Sequence, residues 1–179
     1  MLRRADNGVV SDARRLLLVR HAKAEQDGVT DAARHLSDRG ARDARAAGQW
    51  LAEHGYVPAH VVVSDAIRAQ QTWEGIASAL GTTPTVSVDP RIYDNSAPAL
   101  FEVLADVPAA VPSVALVGHN PSMHSIALAI NNGDGDRSAR TRLGASYPTM
   151  GIAVFDLDVD WSAIGKGAGT LLAFEAPRA

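Results

Sequence analysis

Three apolar runs that do not alternate with polar residues constrain the fold of this chain more than any other feature. They are LLLV (16–19), VVV (61–63) and VALV (114–117). A strand with one face in water alternates apolar and polar residues, so continuous runs indicate strands that are covered on both faces. Shorter apolar runs at 86–88, 152–157 and 171–174 predict three further strands.

Helical patterns separate these runs. Apolar residues recur at helical spacing over 38–54 and 66–80, and Gly55 and Gly81 follow as stop signals. Ser96 and Ser122 are candidate N-caps of two more helices. Strands that alternate with helices predict an α/β fold, a three-layer α/β/α sandwich with a mostly parallel sheet of about six strands. The polar stretch 131–144 is expected to be a solvated loop.

Length, composition and charge exclude several classes of protein. A chain of 179 residues with 46% hydrophobic content predicts one domain, over 15–179. Residues 1–14 do not match the pattern of a signal peptide, because polar residues interrupt the apolar stretch that such a peptide needs. We expect them to be a flexible tail. A cytoplasmic location follows as the expectation. The net charge of −3 gives no reason to expect a nucleic-acid partner, and no apolar run is long enough to predict a membrane span.

The sequence offers little for metal or cofactor binding. It has no cysteine, so thiolate metal sites and a cysteine nucleophile are excluded. It has neither a GxxxxGK[ST] nor a GxGxxG motif, and the GKGAG stretch at 165–169 indicates a turn. We therefore expect no metal and no cofactor.

Charged and polar residues follow three of the predicted strands. Arg20 and His21 follow LLLV, Ser64 follows VVV with Arg68 one helical turn later, and VALV leads to the pair His119–Asn120. In an α/β sheet, ligands bind beyond the carboxyl ends of the strands. These side chains are therefore expected to share one edge of the sheet. A second Arg-His pair, at 34–35, follows no strand and is interpreted as surface.

The chemistry of this set indicates phosphate. The planar fork of arginine pairs with phosphate oxygens, so Arg20 and Arg68 can neutralise a dianion. A neutral imidazole can attack phosphorus near pH 7, and a second, protonated imidazole stabilises charge in the transition state. Burying such a set without a ligand is costly, which argues against a purely structural role.

Three motifs carry a family resemblance. LVRHAKAE, VVSDAIRAQQT and LVGHNPSMHSIA resemble the motifs of the histidine phosphatase superfamily, which includes the phosphoglycerate mutases. They are most similar to the SixA-type phosphohistidine phosphatase branch, and the likeness extends from about Leu16 to Arg178. The resemblance implies a phosphoglycerate mutase-like fold.

The resemblance also implies roles for individual residues. His21 matches the nucleophile that becomes phosphohistidine, and His119 matches the second histidine, a donor in the transition state. Arg20 and Arg68 match the arginines that grip the phosphoryl oxygens. The remaining expected substrate-binding residues are Ser64 and Asn120.

One feature of the family pattern is missing. Larger members carry a glutamate as general acid, but the matching segment here reads VDPRIYDNS, with Arg91 near the glutamate position. The general acid is therefore unassigned. The candidates are Asp94, Glu25, Asp27 and Asp31.

Three functional hypotheses follow. The favoured one is a metal-independent phosphatase that acts on a phosphorylated protein or a small phosphate ester through phosphohistidine at His21. The second is a mutase of the same fold, which the short segment between His21 and Ser64 disfavours because it leaves little room for an enclosing lid. The third is a phosphate-binding module without turnover, which would not need two imidazoles.

Overall fold

A computed structural model describes residues 13–26 and 30–179, and within these ranges seven strands form one sheet. The strands are β1 (Arg14–Arg20), β2 (His60–Val63), β3 (Thr85–Val88), β4 (Ser113–Gly118), β5 (Asn131–Gly135), β6 (Ile152–Leu157) and β7 (Gly169–Glu175). The helices are α1 (Asp38–Glu53), α2 (Ile67–Leu80), α3 (Ala97–Ala105), α4 (Ser122–Ile130) and α5 (Arg137–Ala145).

The sheet order is β3-β2-β4-β1-β6-β7-β5. The pairs β1–β4, β2–β4, β2–β3 and β5–β7 are parallel, whereas β6 runs antiparallel to both β1 and β7. The prediction of a mostly parallel sheet is confirmed. The three strands that carry candidate site residues, β2, β4 and β1, are parallel neighbours at its centre.

Two hydrophobic cores cover the sheet on opposite faces, as the non-alternating runs predict. Leu16 and Leu18 of β1 face one core, with α3, α4 and α5. Leu17 and Val19 face the other core, with α1 and α2. All four side chains are fully buried, so each successive residue of β1 enters a core.

Helix α1 begins where its sequence predicts and packs closely against the loop after β1. The Ser37 hydroxyl accepts a hydrogen bond from the Gly40 N–H at 3.1 Å, which caps the helix. A Cβ at Gly40 would lie 2.0 Å from the Lys23 carbonyl oxygen, so only glycine permits this approach. The contact fixes the chain shortly after His21.

The prediction of a solvated loop over 131–144 is wrong. This segment forms β5 at the sheet edge and most of α5. The Asp136 carboxylate caps α5 by accepting from the Ala139 N–H at 2.6 Å, and Ala139 and Leu143 are buried. The side chains of β5 are mostly exposed and polar, so its sequence resembles a loop, but backbone pairing with β7 stabilises it as a strand.

Two smaller expectations also need correction. Ser122 is the first residue of α4 rather than its N-cap, and its hydroxyl donates to the His119 carbonyl at 2.9 Å. The predicted tail over 1–14 lies outside the described residues except at its end, where Arg14 already belongs to β1.

Candidate active site

The carboxyl ends of β1, β4 and β2 bring the predicted residues to one edge of the sheet. The His21 and His119 ring centroids lie 5.2 Å apart. Arg68, in the first turn of α2, places Nη2 3.4 Å from His119 Nδ1. Side chains from three distant segments therefore converge because their strands are parallel neighbours.

The His21 ring is oriented by its own backbone. Its Nδ1 lies 2.7 Å from the Ala22 carbonyl oxygen, which can only accept, so Nδ1 carries the proton in the neutral ring. Nε2 is then left with its lone pair. Burial lowers the pKa of His21 to about 4, and the nearby charges of Arg68 and Arg20 also act in that direction. His21 is therefore a neutral imidazole at neutral pH, with the Nε2 lone pair that a nucleophile requires.

His119 is held by one partner on each ring nitrogen. Its Nε2 lies 2.9 Å from the Ser64 hydroxyl, while its Nδ1 faces the Arg68 guanidinium, which can only donate. Nδ1 therefore accepts, and Nε2 carries the proton. Burial, followed by the charge of His21, lowers the pKa of His119 to about 3. The second imidazole is therefore neutral in this state. A phosphate dianion beside it would favour the protonated form, which is the form that stabilises charge in the transition state.

Arg20, Arg68 and Asn120 place polar atoms at this edge of the sheet, and only the arginines have donors there that no described residue engages. Arg20 Nη1 donates to the Tyr147 carbonyl at 2.7 Å, and Asn120 Nδ2 donates to the same carbonyl at 2.8 Å. Within residues 13–26 and 30–179, the buried Nε atoms of Arg20 and Arg68 have no hydrogen-bond partner. Arg14 and Arg140 also have an unpartnered buried Nε in these ranges, but those of Arg20 and Arg68 lie at the sheet edge that carries the two histidines, where an anionic ligand could accept from them.

Ser64 supports this arrangement from behind. Its side chain is fully buried and faces His119, so we place it as a positioning residue instead of the substrate-binding residue that was expected. Thr72 also stabilises the site through hydrogen bonds. Its hydroxyl accepts from the Ala22 N–H at 3.0 Å and donates to the Arg68 carbonyl at 2.6 Å, which joins the loop after β1 to α2.

Among the four candidate acids, the structure brings only Asp31 to the arginines within the residues it describes. Its carboxylate accepts from Arg68 Nη2 at 2.9 Å. Glu25 and Asp94 are exposed, and neither carboxylate forms an ion pair in the described part of the chain. Asp27 lies outside the described residues. Arg91, near the family's glutamate position, is bound instead to Asp89 and Asp106.

Hydrogen bonds at Asp31 determine its protonation. Tyr93 donates to Oδ2 at 2.8 Å and Arg34 Nη1 donates to Oδ1 at 2.9 Å. These bonds, Tyr93's first, lower the pKa of Asp31 to about 2. Asp31 is therefore a carboxylate at neutral pH and a poor proton donor.

Four residues at the site escaped the sequence analysis. The Tyr93 ring lies 5.7 Å from the His119 ring and 5.9 Å from the Arg68 guanidinium carbon. Asn95 donates to the Asn120 carbonyl and accepts from the Ser122 N–H. Tyr147 acts through its carbonyl, which no side-chain motif reveals. Arg34, which was interpreted as surface, contacts Asp31 and contributes to the lowered pKa of His21.

Residues 13–26 and 30–179 contain no group of three or more His, Asp or Glu side chains placed to share a metal ion. No helix in these ranges combines the length and the apolar character needed to cross a bilayer.

The fold and the site define an α/β protein whose central strands bring two histidines and two arginines to one edge of the sheet, and comparison with known proteins identifies its family. Residues 16–97 match the model of the histidine phosphatase superfamily, branch 1. An uncharacterized protein of Mycobacterium tuberculosis is 32% identical over 162 residues, which cover 89% of this chain and 100% of that protein.

Two solved structures are also similar. The protein assigned as phosphohistidine phosphatase SixA from Nakamurella multipartitia is 30% identical, with a TM-score of 0.80 over 93% of this chain and 98% of that one. Its counterpart from Agrobacterium tumefaciens is 29% identical, with a TM-score of 0.76 over 91% and 98%. The chain belongs to the histidine phosphatase superfamily, in its SixA-type branch.

Proposed function

We propose that this protein is a metal-independent phosphatase that forms a covalent phosphohistidine at His21. One observation carries the proposal. The hydrogen bond from Nδ1 to the Ala22 carbonyl leaves Nε2 as an unprotonated nucleophile beside two arginines. This combination of nucleophile and phosphate-binding cations fits phosphoryl transfer better than binding alone.

The geometry supports a two-step reaction. His21 Nε2 attacks phosphorus and the bond to the leaving group breaks, while Arg20 and Arg68 stabilise the charge on the phosphoryl oxygens. A water molecule then attacks phosphorus, the P–N bond breaks, and phosphate leaves with His21 restored. His119, which a bound phosphoryl dianion would help to protonate, stabilises both transition states.

The names of the relatives support a substrate class. Two relatives near 30% identity are assigned as phosphohistidine phosphatases, which favours a phosphorylated histidine of a protein as the substrate of this chain. A small phosphomonoester fits the same phosphate pocket. A panel of phosphohistidine peptide, aryl phosphate, and sugar and nucleotide phosphates, with kcat/KM for each, separates these classes.

Trapping the intermediate tests the mechanism. A rapid quench without acid during turnover should leave phosphate on the protein that is stable to base and labile to acid. His21→Ala should lose both the label and turnover. His54→Ala is a matched control, because His54 is exposed and its Nδ1 contacts the Trp50 carbonyl of α1, a helix that contributes none of the candidate site residues. Substantial turnover in His21→Ala would refute the mechanism.

Metal independence has its own test. The guanidinium groups of Arg20 and Arg68 supply positive charge that a metal ion provides in other phosphatases. Activity should therefore survive excess chelator. Loss on chelation, with recovery on adding a divalent cation, would contradict this part of the proposal.

A further inference from the structure

Asp31 occupies the phosphate-binding side of Arg68. The guanidinium donates from Nη1 to the Asp31 carbonyl at 2.6 Å and from Nη2 to its carboxylate at 2.9 Å. In the described part of the chain, no other carboxylate forms an ion pair with Arg68. A substrate phosphoryl group that binds Nη2 must displace the Asp31 carboxylate from it, and one that binds Nη1 must displace the Asp31 backbone carbonyl.

Other hydrogen bonds keep this charge at the mouth of the pocket. Arg34 and Tyr93 both donate to the Asp31 carboxylate, and neither needs to move when a phosphoryl group binds Arg68. The Asp31 side chain is 53% exposed, whereas that of Arg68 is 7% exposed. The carboxylate therefore lies between the buried cation and solvent, on the side from which substrate must approach.

This position has an electrostatic consequence for the part of the substrate that leaves. Arg20 and Arg68 attract any phosphoryl group, whatever it is attached to. A fixed carboxylate at the mouth repels a second negative charge near that group and attracts a positive one. The protonated carboxyl group of an acid catalyst is uncharged, so it would neither repel the negative charge nor attract the positive one.

We propose that Asp31 is a specificity-determining residue that selects substrates with a neutral or cationic leaving group against substrates with an anionic one. The proposal rests on the phosphatase function proposed above. It adds a basis for choosing a phosphorylated imidazole, whose ring becomes cationic on protonation, over phosphorylated organic acids.

Matched aryl phosphates provide the test. 4-(Aminomethyl)phenyl phosphate and 4-carboxyphenyl phosphate differ in the sign of one remote charge. A unit charge roughly 7 Å from the carboxylate, at an effective dielectric constant of about 60, changes kcat/KM about fourfold. Since the carboxylate favours one probe and disfavours the other, the ratio of kcat/KM for the cationic probe to that for the anionic probe should fall about fifteenfold in Asp31→Asn. Comparing variant with wild type cancels the intrinsic reactivity of the two probes.

Asp94→Asn is the matched control. Asp94 is an exposed carboxylate next to Tyr93 that makes no ion pair with Arg68 in the described part of the chain, so its removal should change the ratio clearly less than Asp31→Asn does. High salt should reduce the wild-type ratio, because screening weakens the interaction.

The remaining outcomes oppose the proposal. An equal change for both probes in Asp31→Asn would show that Asp31 only competes for Arg68 or supports the fold. An equal loss of selectivity in Asp94→Asn would assign the effect to general surface charge. If the wild type hydrolyses neither probe, the phosphatase function fails separately, and the same ratio of binding constants from calorimetry decides the role of Asp31.

Discussion

The carboxylate that the structure places at the arginines, Asp31, is a poor proton donor, which predicts a steep dependence of kcat/KM on the basicity of the leaving group. An alkyl phosphate leaves as a strongly basic alkoxide and needs a proton in the transition state. A phenolate or a protonated imidazole leaves without that help. Of the candidate acids, only Asp31 is placed at the arginines by the structure, and it is ionised.

The cost of protonating Asp31 can be compared with the benefit of an acid. Even an unperturbed carboxyl pKa of 3.8 leaves the acid form at about one molecule in 10³ at pH 7, a cost of about 4.4 kcal/mol. The hydrogen bonds from Tyr93, Arg34 and Arg68 increase this cost. General acid catalysis contributes roughly 10²–10⁴-fold, or about 2.7–5.5 kcal/mol. The free energy needed to protonate Asp31 therefore cancels most of the rate gain that an acid at this position would provide.

The assay compares kcat/KM for an aryl phosphate and an uncharged alkyl phosphate. We expect a preference for the aryl substrate of at least about 100-fold, equivalent to about 2.7 kcal/mol. Alanine variants of Glu25, Asp27, Asp31 and Asp94 should preserve this preference. Similar rates on both classes, or one variant that loses only the alkyl activity, would refute the reasoning and identify an acid.

Three further predictions concern the arginines, the buried imidazole and the C-terminal contacts. Arg20→Ala and Arg68→Ala should each lower kcat/KM at least about tenfold, since a charge-assisted hydrogen bond contributes about 1.5–3 kcal/mol; near-normal kcat/KM would remove that arginine from the pocket. The pKa of His119 is lowered to about 3 in the folded protein. As pH falls below about 6.5, this imidazole therefore takes up a proton in the unfolded chain but not in the folded one. The free energy of unfolding, measured by urea titration, should therefore decrease from pH 6.5 to 4.5, and less steeply in His119→Asn; an unchanged slope in the variant would contradict this assignment. Arg178 donates to the buried Asp43 carboxylate at 3.3 Å and to the Thr149 carbonyl at 3.0 Å, so Arg178→Ala should lower Tm by about 3–6 °C after allowance for partial exposure. Arg39→Ala, which removes a more exposed 3.7 Å contact to the same carboxylate, should lower Tm by less, and equal effects would show that the geometry of the pair is irrelevant.

Much of the fold could be predicted from local patterns. The continuous runs in β1, β2 and β4 identified buried strands, and the residues directly after them identified the catalytic edge. Such predictions succeed because a strand's burial appears in its own residues and because parallel strands share their carboxyl ends. β5 and α5 were missed because their polar, exposed residues resemble a loop, and only pairing with β7 and the burial of Ala139 and Leu143 stabilise them.

The sequence by itself determined which residues could perform the chemistry, namely His21, His119, Arg20 and Arg68, because their types and strand-end positions are local properties. Their states, with one exception, were decided only by the tertiary structure. The tautomer of His119 depends on Ser64 and Arg68, which lie more than forty residues away in the chain, and both rings are neutral because several elements bury them. The tautomer of His21, in contrast, is set locally by the carbonyl of Ala22. The state of Asp31, like that of His119, depends on the tertiary structure, since the hydrogen bonds that keep it ionised come partly from Arg68 and Tyr93, on segments that approach it only when the sheet is assembled.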